Sequence, residues 1–229
     1  MQSRYRLELI IERGFKRRCV IEKDLEGYVA RLTALGGGSG NSKHIYEDWA
    51  LTYEENLQGD YGYIAPSIAA DVFIEHCSGR DLRILDLGCG TGLVGKELNA
   101  RGFHTIDGLD YSPGMLAEAK KKEIYDNLIV GDMTQPLDLV GPCYDAAISV
   151  GCFGGGHLGP QHLEGIIRSV TANGLLVLYI NGIPYDKDNY PAHFRALEVA
   201  GVWQLKMTKQ SNYMQALKRP GWVVVAHRS

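Results

Sequence analysis

The 229-residue chain has no apolar run approaching the roughly 20 residues a membrane helix needs, and its N-terminus lacks the charged, apolar, small-residue succession of a secretory signal. Both absences point to a cytoplasmic protein with no membrane partner. Cysteine is sparse: Cys19, Cys77, Cys89, Cys143 and Cys152 include no CxxC pair, which argues for reduced thiols and against a disulfide framework or a zinc site. No metal is expected. Net charge is only −3, and it is unevenly spread, with eight basic against five acidic residues over 1–31 and sixteen against twenty-two beyond. An acidic body is a poor match to a polyphosphate, so no nucleic-acid partner is expected. The basic cluster Arg13, Lys16, Arg17 and Arg18 reads as the solvated face of a hairpin.

What is present divides in two near residue 40. Tyr5, Leu7, Leu9 and Ile11 alternate with Arg6, Glu8 and Glu12, the period of a strand, and Gly14 permits a turn into a second strand through Cys19, Val20 and Ile21. Asp24 can cap a helix whose apolar face is Leu25, Tyr28, Val29 and Leu32. The tract Gly36-Gly37-Gly38-Ser39-Gly40 reads as a flexible linker of the kind used in fusions. Residues 1–40 are therefore a small strand-strand-helix extension, either native or added, and one able to pair two copies into a homodimer by strand addition.

From residue 41 to 229 apolar runs alternate with amphipathic stretches, the pattern of a doubly wound α/β domain whose mostly parallel sheet is covered by helices on both faces. Strands are predicted at Leu82–Leu87, His104–Leu109, Asn127–Val130, Ala146–Val150, Leu175–Ile180, Trp203–Met207 and Trp222–Ala226, with helices starting near Ser42, Pro66, Gly92, Pro113, Pro160 and Pro191. Proline recurs at these starts because the first helical turn has no use for its missing N–H.

The first buried strand runs into Asp86-Leu87-Gly88-Cys89-Gly90-Thr91-Gly92 and then into a helix. Glycines let a ligand approach the backbone, and the helix N-terminus offers free N–H groups. Gly90, Gly92 and Gly95 also satisfy the GxGxxG spacing of a dinucleotide site. Asp86 separates the two readings: it would repel a pyrophosphate and attract the ammonium and sulfonium of S-adenosylmethionine. The second strand ends in Asp110-Tyr111, about 20 residues on, where a carboxylate can accept both ribose hydroxyls. The third ends in Asp132-Met133, placed for adenine, although Asp132 also suits a cap before Thr134.

These motifs resemble class I S-adenosylmethionine-dependent methyltransferases. The likeness is closest to the methyltransferase-like proteins of the Williams-Beuren syndrome chromosomal region, through Tyr46, Tyr53, Tyr63-Ile64-Ala65-Pro66, Asp86 to Gly92, Asp110, Ser112 to Leu116, Ser149-Val150-Gly151 and Trp203. The resemblance implies a Rossmann-like seven-stranded sheet with an antiparallel last strand, and cofactor contacts at Asp86, Gly88, Asp110, Asp132 and Met133. Tyr46, Cys89, Gly90, Gly92, Tyr111 and Ser149 complete the expected cofactor site. The loop Ser149-Val150-Gly151-Cys152-Phe153 lacks the Pro-Pro-Tyr of enzymes that methylate exocyclic nucleobase amines, which argues against DNA or RNA adenine methylation; a small-molecule acceptor is expected.

Such an acceptor is expected against Tyr53, Tyr61, Tyr63, Cys152 and Phe153, with Asn181, Tyr185 and Asn212 as weaker candidates, and His157 as the general base. Tyr46, Trp49 and Tyr53 share one helical face, so they serve either as a lid or as core. Two other functions compete. A nicotinamide oxidoreductase is opposed by Asp86 and by the absence of any Tyr-x-x-x-Lys pair. A non-catalytic cofactor-binding module would bind the same ligand without turnover.

Overall fold

The computed structural model describes residues 42–60, 62–137, 139, 144–154, 158–215 and 219–229. The expected extension and linker of residues 1–40 lie outside the described residues, as do Tyr61 and His157.

The chain enters the described fold through helix α1 (Lys43–Trp49) and a π-helical turn (Glu55–Asp60), then α2 (Ala65–His76) leads into the sheet. Strand β1 (Ile84–Leu87) is followed by α3 (Leu93–Ala100), β2 (Ile106–Asp110), α4 (Pro113–Lys120), β3 (Asn127–Val130) and β4 (Tyr144–Phe153). A 3-10 turn (Pro160–His162) and α5 (Leu163–Ile167) precede β5 (Val170–Asn181). Helices α6 (Gly182–Lys187) and α7 (Tyr190–Val199) then lead to β6 (Trp203–Met214) and β7 (Arg219–Arg228).

Seven strands make one sheet in the order β3-β2-β1-β4-β5-β7-β6. Strands β1 to β5 pair in parallel, and β7 is antiparallel to both of its neighbours. This is the Rossmann-like sheet with an antiparallel last strand. The order reverses between β1 and β4, whose following connections run to opposite sides, and that divergence opens a crevice beyond their carboxyl ends.

Alternation along each strand supplies two cores. Ile84, Ile106, Ile148, Val177 and Val225 point to one face and pack with Ala69 and Phe73 of α2, Val94 and Leu98 of α3, and Ile45 and Trp49 of α1. Leu85, Leu87, Ala147, Leu176 and Val224 point to the other and meet Leu163, Ile166 and Ile167 of α5 and Tyr190 and Phe194 of α7. At about 25 cal/mol per Å² of apolar surface, either layer supplies far more than any single polar contact.

The expected strands fall inside the observed ones or within two residues of them at each end. The β6–β7 hairpin, however, runs well past Met207, because its ladder continues from Thr208 paired with Val224 to Met214 paired with Arg219. Polar edge-strand residues such as Lys209 and Gln210 carry no apolar alternation, so the sequence understates this strand. The π-helical turn and α6 went unpredicted. Both are shorter than the two turns needed for a periodic signal.

Candidate active site

A cavity of about 430 Å³ opens at the reversal point. Its floor is Gly88 and Gly90 after β1 and Val150, Gly151 and Cys152 at the end of β4. One side is Asp110, Tyr111 and Met115 after β2 and in α4; another is the run from Gly131 to Gln135 after β3. Ser42, Tyr46 and Tyr53 form a roof, and Leu158 closes the rim.

Local conformation explains the floor. Gly88 adopts φ 70°, and a Cβ there would lie 2.1 Å from Cys152 Sγ and 3.1 Å from Met133 Cε, so no side chain fits. The Gly88 and Cys89 N–H groups both donate to the Leu109 carbonyl, at 2.7 and 3.0 Å, drawing the loop against β2. Ser149 Oγ donates to the Leu87 carbonyl at 2.9 Å from the other side.

Asp110 is buried, and burial pushes its pKa up against the backbone donors that favour the carboxylate. One oxygen accepts the Gly90 N–H and the other the Ser112 N–H, each at 2.9 Å. A carboxylate has about four lone-pair sites, so each oxygen retains capacity for one more donor inside the cavity. Asp132 lines the wall and also accepts the Thr134 N–H at 2.9 Å, in a turn that starts no helix, so it is not the helix cap that the sequence suggests.

Asp86 departs from expectation. Strand alternation puts its side chain on the face of Ile84, beneath α3, and it does not line the cavity. It is completely buried, with Oδ2 accepting the Tyr125 hydroxyl at 2.7 Å and Oδ1 unpartnered among the described residues. Burial raises its pKa to about 7, while the Tyr125 hydroxyl and the Gly95 N–H oppose the rise. Gly95 is small for the same reason: a Cβ there would meet the Tyr125 hydroxyl at 2.4 Å. Thr91 Oγ1, in the loop, is likewise buried and without a partner among the described residues.

The roof residues divide between cavity and core. Trp49 is buried and donates from Nε1 to Asn56 at 2.9 Å, and Tyr53 meets it edge-on with centroids 4.8 Å apart. Tyr46 and Tyr53, 6.1 Å apart, turn toward the cavity. The Ser42 and Tyr111 hydroxyls share a 2.7 Å hydrogen bond that ties α1 to the end of β2.

Nine expected residues therefore converge on the cavity: Tyr46, Tyr53, Gly88, Gly90, Asp110, Tyr111, Asp132, Met133 and Cys152. Tyr63 stands just behind the floor, its hydroxyl 3.1 Å from where a Gly151 Cβ would be. Cys89, Gly92 and Ser149 shape the loop without lining the cavity, and Phe153 is buried against Tyr190 on the opposite face of the sheet. The end of β4 is irregular, with Gly151 at φ 81° and a register shift between Val150 and Phe153, so Cys152 reaches the cavity while also touching the core that buries Phe153. Asn181 and Asn212 are held in strands and Tyr185 stacks on Trp222 at 4.5 Å, all away from the cavity. Sequence reasoning missed Tyr125, and its one signal was the third glycine of the loop motif, Gly95, which implies close packing.

Burial holds the site's thiol and phenols protonated. The Cys152 thiol is pushed up to about 12, and the Tyr46, Tyr53 and Tyr63 phenols are raised beyond their ordinary values for the same reason. None of the four supplies an anion at neutral pH.

Comparison with known proteins decides the family. A methyltransferase-domain family matches residues 84–174. Human (Homo sapiens) methyltransferase-like protein 27 is 33% identical over 168 residues, covering 70% of this chain and 67% of that protein. The chain belongs to the S-adenosylmethionine-dependent methyltransferases. The methyltransferase is also 43% identical to the 18S rRNA (guanine-N(7))-methyltransferase of Bos taurus over 67 residues, 29% of this chain and 24% of that one. Among solved structures it shares the fold of magnesium protoporphyrin IX methyltransferase from Synechocystis, which has S-adenosylmethionine bound. The TM-score is 0.57 at 16% identity, over 93% of this chain and 97% of that one. A TehB-like methyltransferase from Corynebacterium glutamicum gives 0.58 at 20% identity, over 80% and 98%. Its cofactor is S-adenosylmethionine. No helix among the described residues is long and apolar enough to cross a membrane.

Proposed function

We propose that this methyltransferase methylates a compact small-molecule acceptor. The observation that carries the proposal is the cavity. Its volume of about 430 Å³ lies near the low end of the roughly 300–1,000 Å³ typical of ligand sites, which leaves room for the cofactor and little else. Its charged described lining residues are Asp110 and Asp132, which disfavours a polyanion.

In this reading Asp110 takes the two ribose hydroxyls on its free lone pairs, and Asp132 with Met133 meets the adenine. The Gly88–Gly90 backbone passes under the cofactor where no side chain fits, and Tyr46 and Tyr111 cover it. Asp86, Cys89, Gly92 and Ser149 hold the loop from behind. Tyr53, Tyr63 and Cys152 wall the acceptor end. When bound, the cofactor would supply an electrophilic methyl group on its sulfonium; an acceptor lone pair held opposite the sulfur would take the methyl as the S–CH3 bond breaks, with S-adenosylhomocysteine as the leaving thioether.

The protein's work is then alignment and exclusion of water. A roof of phenols held neutral provides hydrogen-bonding hydroxyls without fixed charge, which suits a transition state in which the sulfonium charge disperses. An acceptor that arrives protonated also needs a base. On sequence grounds His157, four residues after the end of β4 in the sequence, is proposed for that role.

A second reading, methylation of RNA, is favoured by the 43% identity to the rRNA enzyme over a short segment. One experiment separates the two. S-adenosylhomocysteine release is measured with a panel of small phenols, amines, thiols and carboxylates, and in parallel with 18S rRNA. Turnover of a small acceptor supports the proposal. Turnover of rRNA alone, falling steeply with salt as phosphate contacts require, overturns it. Binding of S-adenosylhomocysteine without turnover of anything would leave a non-catalytic module and would equally overturn it.

A further inference from the structure

Lys122 lies in the turn after α4, outside the cavity, yet its ammonium joins two of the cavity's walls. Nζ donates to Glu54 Oε1 and to the Thr91 carbonyl, each at 2.6 Å. Glu54 directly follows Tyr53 in the roof, and Thr91 belongs to the glycine loop. The ion pair is mostly shielded, with 21% and 30% of the two side chains exposed. The lysine stem also lies over the loop, with Cδ 3.4 Å from where a Gly92 Cβ would be.

We propose that Lys122 is a positioning residue that fixes the roof relative to the glycine loop, so that closure over the cofactor depends on the Glu54–Lys122–Thr91 bridge. Apolar packing also joins the roof to α3 through Ile45, Trp49 and Val94, but it fixes no orientation as a charged donor does. The Ser42–Tyr111 hydrogen bond joins the roof to the end of β2, not to the loop. A charged donor held between a carboxylate and a carbonyl forms stronger bonds than a neutral pair, and shielding from water preserves that strength. Tyr53 is thereby held over the cavity by a contact one residue away, while the Thr91 peptide is kept in the one orientation compatible with the loop.

The inference rests on the cofactor lying on the glycine loop, and the test separates the two claims. Dissociation of S-adenosylhomocysteine is followed by displacement for the wild type, Glu54→Gln, Lys122→Met and the double variant, with unliganded thermal unfolding measured alongside. Coupling between a closure element and a ligand commonly amounts to a factor of about 5 to 150, so each single variant is expected to release product about tenfold faster. The double variant is expected to match Lys122→Met, because both substitutions cut one bridge. Release within about twofold of wild type in both single variants overturns the proposal, as do effects that multiply in the double variant. Glu54→Gln does not touch the loop, so it decides the matter even if Lys122→Met fails to fold. A wild type that binds no S-adenosylhomocysteine would sink the cofactor reading, whereas binding by all four proteins at equal rates sinks only the role of Lys122.

Discussion

Gly88→Ala is a perturbation whose size follows from the structure. The new methyl faces two separable penalties. One is backbone: a non-glycine residue at φ 70° costs about 1–2 kcal/mol. The other is steric: the Cβ would lie 2.1 Å from Cys152 Sγ, and pushing a well-packed group aside costs about 1–3 kcal/mol. Together they predict a loss of about 2–5 kcal/mol, a large share of a typical domain's stability. Met133 Cε at 3.1 Å is the flexible end of a long side chain and can give way. Replacing Cys152 by Ala removes the sulfur and leaves its Cβ at 3.6 Å, an ordinary contact. In a Cys152→Ala background Gly88→Ala should therefore cost only the backbone share, about 1–2 kcal/mol. Urea unfolding of the four proteins of this cycle measures the coupling. Additivity within about 0.5 kcal/mol would refute the close approach of Cys152 to the glycine loop.

The remaining predictions concern charge and ligand. Asp110→Ala should weaken S-adenosylhomocysteine binding by about 100-fold, since it removes the acceptor for two hydroxyls and frees the Gly90 and Ser112 N–H groups; calorimetric titration checks this, and unchanged affinity contradicts the ribose assignment. Burial raises the Asp86 pKa from its unfolded value to about 7, so between about pH 4 and 7 the folded state holds a proton that the unfolded state has lost, and stability falls as pH rises. Compared with Asp86→Asn, the wild type should lose up to about 1.4 kcal/mol per pH unit across that window, and parallel stability curves would exclude a buried titrating Asp86. Tyr125→Phe deletes a hydrogen bond that favours the Asp86 carboxylate, so it should move the upper end of the same window to higher pH. A shift toward lower pH in that variant would contradict the assigned donor.

The cavity lining at the ends of β1, β2 and β3 is legible in the sequence because it depends on local rules. A buried strand that stops at glycines needing positive φ, followed by strands ending in Asp110 and in Asp132, is written in consecutive residues. So are the helix starts at proline and the alternation that separates the two cores. Repeated β-α units then bring those strand ends together, whatever the loops between them contain.

Other features depend on which face a side chain takes and on which distant segment it meets. Asp86 looks like a ligand in the motif, but one residue of strand phase turns it under α3 toward Tyr125, 39 positions away. Cys152 and Phe153 are neighbours with the same sequence claim on the acceptor, and an irregular strand end gives the cavity to Cys152 and buries Phe153 against Tyr190. Tyr46, Trp49 and Tyr53 share a helical face, and only packing divides them between roof and core. Lys122 carries no motif, and its bridge joins segments 68 and 31 residues away. Local sequence determined the strands, the turns and the acids at their ends, because those follow from backbone preference and burial period. Tertiary structure alone decided which polar groups face the cavity and which are buried behind it, because that turns on contacts between residues far apart in the chain.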